Sequence, residues 1–209
     1  SNALPINGQN AAQVSAKYAT YFTPAGFAFS IWGVIYTGFI AFAVFQSLRP
    51  QWDNPRLVAA RPWVIVNGLL NSMWLPLFHY EQMGWALVVI VGLLFSLIQI
   101  HRALRPAPEG WQERWLVRVP FGIYLGWLCV ATLANASIFL DSIGWSGCGI
   151  SGPHCAIVMI AVATLVASMF HLRFRDWAFW AVFPWALSAI YQKQQGVEGV
   201  PQAALFAIG

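Results

Sequence analysis

Six runs of apolar residues, each close to the thickness of a bilayer when helical, constrain this chain more than any other feature. They lie at about Phe22–Leu48, Pro62–Tyr80, Gly84–Ala103, Val117–Leu140, Cys155–Leu172 and Trp177–Gln192. At 1.5 Å of rise per residue, such runs match ~30 Å of hydrocarbon. None alternates polar with apolar as barrel strands must. Helices are the other way to satisfy every backbone N–H and C=O in lipid. The sequence therefore predicts an all-α, polytopic transmembrane helix bundle with at least six spans. Composition excludes a very hydrophobic soluble bundle, because 59% of the 209 residues are apolar and only 9% charged. An ordinary soluble domain carries ~25% charged residues to face water.

The few charges are distributed unevenly. Arg49, Arg56 and Arg61 lie in the first connection, Arg102, Arg105, Arg114 and Arg118 in the third, and Arg173 and Arg175 in the fifth. These connections share one face and hold nine of the eleven basic residues; the other face has Lys17 and Lys193. The positive-inside rule makes the arginine-rich face cytoplasmic and puts residues 1–21, the Glu81–Met83 turn and residues 141–154 on the outer face. The net charge of +4 forms no patch interleaved with aromatics, which argues against a nucleic-acid partner. One transmembrane domain covers residues 1–209. With no initiating Met and an apolar run starting at Pro201, the sequence predicts a longer natural protein, with a helix before residue 1 and another extending past residue 209.

Chemistry in such a chain resides in the polar and aromatic groups inside the spans. Trp32 and Tyr36 are four apart in the first span, so they share a helix face. Asn67, Asn71 and Trp74 do the same in the second, and Tyr124, Trp127, Ala131 and Asn135 in the fourth. An amide in hydrocarbon needs a partner, so Asn71 should face the bundle interior. Its bland role is interhelical glue, and that of a mid-span Trp is packing. Three helices offering aromatic planes and amides at similar depth nonetheless suggest a pocket for a flat apolar ligand, lined by Trp32, Tyr36, Asn71, Trp74, Tyr124, Trp127 and Asn135. Cys148 and Cys155 flank a Gly-rich outer loop and are candidates for a disulfide. With His154 they fall one ligand short of a tetrahedral metal site, and no metal is expected.

These residues resemble a known family. Pro24 through Tyr36, with a Phe-x-x-Trp-x-x-x-Tyr core, is similar to the second helix of the tryptophan-rich sensory protein or translocator protein (TspO/MBR) family. Leu70-Asn71-Ser72-Met73-Trp74-Leu75-Pro76-Leu77-Phe78 resembles its third-helix motif, Gln82 through Leu87 the start of its fourth, and Pro120 through Asn135 its fifth. The likeness covers residues 22–140 as a core. The helices at about 155–209 correspond to a longer variant with extra C-terminal helices.

The resemblance implies an intramembrane site for a tetrapyrrole such as protoporphyrin or haem, with a sensory, regulatory or transport role and no obligatory cofactor. Trp32, Asn71 and Trp127 match the family's pocket positions. Two segments depart from the pattern. Thr23-Pro24 stands where the family has a Trp-x-Pro-Pro element. Ala136 through Asp141 lacks the Tyr and basic residue of the cholesterol-recognition segment, so the likeness does not extend to sterol binding there. Besides the lipid bilayer and a small hydrophobic ligand, the expected partners are further copies of the chain or a larger membrane complex. Two other readings stand beside ligand binding: an accessory transmembrane subunit of a respiratory or photosynthetic complex, and a porphyrin-degrading enzyme. No catalytic residue is assigned, because the spans hold no paired carboxylates.

Overall fold

Side-chain caps legible in the sequence open three of the helices. Asn54 accepts from the backbone N–H of Arg56, with Pro55 at the first helical position, and opens a 25-residue helix. Asp176 accepts from the N–H of Phe179 at 3.2 Å and opens another. Asn10 and Gln13 bond reciprocally to each other's backbone N–H and start a short helix ahead of the first apolar run. The computed structural model of the protein describes residues 6–18, 20–105, 110–145 and 150–208. Over these residues the helices are α1 (Ala11–Ala16), α2 (Ile31–Ser47), α3 (Pro55–His79), α4 (Met83–Ala103), α5 (Trp111–Ser142), α6 (Gly152–Phe174), α7 (Trp177–Lys193) and α8 (Val200–Ile208). A 3₁₀ turn, Gly26–Ser30, leads into α2, and α5 carries a π-helical stretch at Arg114–Arg118. Among the described residues there is no strand, only one isolated bridge between Ile6 and Gln9.

A helix stands at each of the six expected places. Among the described residues, four stretches are long and apolar enough to cross a membrane: Gly26–Ser47, Met83–Ala103, Trp111–Ser142 and Gly152–Phe174. The other two fall outside that class. The apolar run of α3 is broken by Asn67, Asn71 and Ser72, and α7 has only 17 residues. Both are packed against the four: α3 lies along α4, while α7 fills the space between α5, α6 and α8. In the core, α4 and α2 both lean on α5. Exposed Ile40, Ile65, Leu69, Phe95, Leu165 and Leu172 cover the outside, a surface suited to lipid.

Close helix approach has a simple cause. A Cβ on Gly126 would sit 2.7 Å from the backbone O of Phe179, so α5 and α7 meet only because residue 126 has no side chain. The neighbouring Gly122 lies against Asp176 and Ala178 in the same way. These small residues are consumed by contacts within the chain.

The connections sort to two ends of the bundle. At one end Arg56 donates to Glu113 at 2.7 Å with both side chains buried, Arg118 lies 3.8 Å from Asp176, and Arg105 sits over the Phe174 ring. At the other end Lys17 pairs with Glu81, and Gln9 donates to the backbone O of His79 at 3.1 Å. His79 is fully buried under this N-terminal segment, with Nδ1 2.8 Å from the O of Leu75. Residues 6–18, which the sequence places on the outer face without assigning them structure, form a folded cap over the bundle.

Candidate functional site

Beneath that cap, α2, α3 and α5 bring the expected aromatic and amide residues together. Trp32 of α2 stacks on Trp74 of α3, with centroids 6.2 Å apart and planes 27° apart. Trp32 also stacks on Tyr36 and meets Tyr124 of α5 edge-on at 5.8 Å. Trp74 continues the column onto Phe78 at 4.9 Å. Polar groups cross between helices behind the rings. Asn71 Nδ2 donates to the Tyr124 hydroxyl at 2.9 Å, and Trp74 Nε1 donates to Asn135 Oδ1 at 3.3 Å. Asn135 Nδ2 in turn donates to the O of Ala131.

Ser15, Pro24, Phe29, Trp32, Trp74, Phe78, Trp127 and Asn135 surround a cavity of about 20 Å³. That is space on the order of a single water. Trp127 lines it, is 2% exposed, and packs edge-on to Phe29 at 5.9 Å. Its Nε1 is buried, and among the described residues no acceptor reaches it. A buried indole N–H normally has a partner, so this donor is the unspent polar group of the site.

Four of the seven expected residues, Trp32, Trp74, Trp127 and Asn135, line the cavity itself. Asn71 and Tyr124 form the hydrogen-bonded wall beside Trp32, and Tyr36, 38% exposed, stacks on Trp32 without lining the cavity. Asn67 makes its 2.8 Å bond in another direction despite its helical spacing with Asn71: its amide donates to Ser96 Oγ and holds α3 to α4. Phe29, Phe78, Ser15 and Pro24 were not anticipated. The signal for Ser15 was the Asn10/Gln13 capping pair, which marks a helix where hydropathy shows none.

A second cavity of about 220 Å³ lies between Tyr21, Asp141, Trp145, Gly152 and Cys155. The Cys148–Cys155 pairing cannot be placed there, because Cys148 lies outside the described residues. Among the described residues, no three His, Cys, Asp or Glu groups are placed to hold a metal ion.

Long apolar helices around a buried aromatic and amide cluster define a multi-pass membrane protein. Compared with known protein families, residues 1–209 match the family described as TSPO-like protein, and the chain belongs to that family. No curated protein matches it, and no solved structure does.

Proposed function

We propose that this protein binds a tetrapyrrole, or a similarly flat apolar ligand with acceptor groups at its edge, between α2, α3 and α5, in a sensory, regulatory or transport role. The observation that carries the reading is the buried Trp127 N–H beside stacked indole planes. Trp32 and Trp74 offer faces to a planar ring system, and Trp127 offers a hydrogen bond to a carboxylate or carbonyl on it. Family membership supports the same reading. The nine-to-two split of basic residues supports a cytoplasmic arginine-rich face, with the cap and the site toward the outer side.

The cavity is far below the ~300–1,000 Å³ of drug-sized pockets, so binding is coupled to opening. A ligand must take the place of Trp32 against Trp74, and the Ser15 and Pro24 cap must lift. Each aromatic contact broken costs about 0.5–1.5 kcal/mol. Two of them lower the apparent affinity by roughly ten- to a hundredfold relative to a preformed pocket. Titrating the purified protein with protoporphyrin while following tryptophan fluorescence tests the reading. Quenching at micromolar ligand is expected, and Asn71→Ala weakens it by releasing Tyr124. Absence of quenching, or quenching unchanged by Asn71→Ala, counts against the site.

A further inference from the structure

A separate cavity of about 340 Å³ opens at the arginine-rich end of the bundle, where α5 meets the α6–α7 turn. Its lining includes Arg114, Arg118, Phe174, Arg175, Asp176 and Trp177. Asp176 is buried, caps α7 through Phe179, and lies 3.8 Å from Arg118, so it offsets one of the three guanidinium groups. Among the described residues, Arg114 and Arg175 have no carboxylate within 4.0 Å. With one carboxylate set against three guanidinium groups, the described lining carries an excess of positive charge.

Two local departures from regular backbone build this arrangement. Arg114 and Arg118 lie on the π-helical stretch of α5, a form that occurs mostly as short bulges and frequently at functional sites. Arg175 adopts the left-handed conformation, φ 48° and ψ 41°, which costs a non-glycine residue energy that its surroundings must supply. Depth follows from length. Thirty-two residues make α5 about 48 Å long against ~30 Å of hydrocarbon, so its first turns reach the headgroup layer. Trp115 and Trp177, in ring contact at 5.7 Å, mark the same level as interfacial tryptophans. Phe174 and Trp177 supply apolar wall on the membrane side.

We propose that this cavity binds the phosphate of an anionic phospholipid headgroup, held by Arg114 and Arg175 with Arg118 behind them. Basic pockets between helix ends have the chemistry for such headgroups, and planar guanidinium groups match phosphate oxygens in pairs. The site is distinct from the Trp127 cavity and does not depend on what that cavity binds.

The test is native mass spectrometry of the protein released from detergent micelles carrying phosphatidylglycerol or phosphatidylcholine. The unaltered protein retains one phosphatidylglycerol about tenfold better than phosphatidylcholine. The preference is lost in Arg114→Gln with Arg175→Gln, since each charge-assisted contact is worth on the order of tenfold in affinity. Arg49→Gln with Arg102→Gln removes equal charge from the same end but from outside the cavity, and keeps the preference. Arg114→Gln alone, at an exposed helical position, gives an intermediate loss and guards against misfolding of the double variant. Undiminished phosphatidylglycerol retention in the double variant overturns the site, as does equal loss in the control pair. Displacement of the lipid by millimolar inorganic phosphate overturns the lipid assignment and makes free phosphate the ligand.

Discussion

Trp127→Phe separates the two consequences of an unpartnered buried donor, because stability and binding should respond differently. Among the described residues the buried Nε1 group has no acceptor, a condition that costs about 1–3 kcal/mol. Phenylalanine removes that cost and keeps the edge contact to Phe29. The lost five-membered ring leaves roughly 40 Å³, which costs about 1 kcal/mol at ~24 cal/mol per Å³. These opposing effects leave the unliganded variant between about unchanged and 2 kcal/mol more stable. Binding should move the other way. A hydrogen bond from an indole N–H to a ligand carboxylate is worth about 1.5–3 kcal/mol, so protoporphyrin affinity falls roughly ten- to a hundredfold. Thermal unfolding in detergent reads the first quantity and the absorbance shift of bound protoporphyrin reads the second. A loss of more than about 3 kcal/mol in the unliganded variant would mean that the N–H already makes a strong bond. Unchanged affinity would refute its role toward the ligand.

Gly126→Ala should destabilise the bundle by about 1–3 kcal/mol through overpacking, because the new Cβ falls 2.7 Å from the backbone O of Phe179. Gly68→Ala, with open space around it, should be neutral or stabilising by up to about 1 kcal/mol; equal effects in the two thermal unfolding curves would contradict the α5–α7 packing. Glu113→Leu removes the carboxylate 2.7 Å from the buried Arg56 guanidinium and should cost up to about 3–5 kcal/mol. A loss near zero in the same assay would show the pair to be solvated. Hydrogen bonds from Lys17 and Gln9 hold the Glu81 carboxyl below its ordinary value of 4.5, so its contribution is complete above that pH and is lost as pH falls through the depressed value. The group is exposed, which limits the effect to below about 1 kcal/mol. Protection factors of the α1 amides, corrected for the intrinsic pH dependence of exchange, should fall on acidification, and Glu81→Gln should remove that dependence.

Much of this fold was legible one residue at a time. Apolar runs and scarce charge are properties of short windows, and burial in lipid acts on each window without reference to its neighbours. The helical class, the places of six helices and the gathering of arginines between them followed from that. Spacing along single helices also brought Trp32, Trp74, Trp127 and Asn135 to one place. Partner choice was a different matter. Asn67 and Asn71 stand four apart and look equivalent, yet one bonds Ser96 across to α4 and the other bonds Tyr124 on α5. Which neighbour each amide meets depends on helix rotation, and rotation is set by contacts such as Gly126 against Phe179, far away in sequence.

The sequence by itself therefore determined that this is a multi-pass helical membrane protein of the TSPO-like family, since hydropathy and motif spacing are local quantities. Only the tertiary structure decided that residues 6–18 fold over the site, that the aromatic cluster closes to a cavity of about 20 Å³, and that Arg114 and Arg175 line another. Each outcome joins side chains from helices that no periodicity relates. Packing chooses among such pairings by the fit of whole surfaces, and that fit exists only once the helices are together.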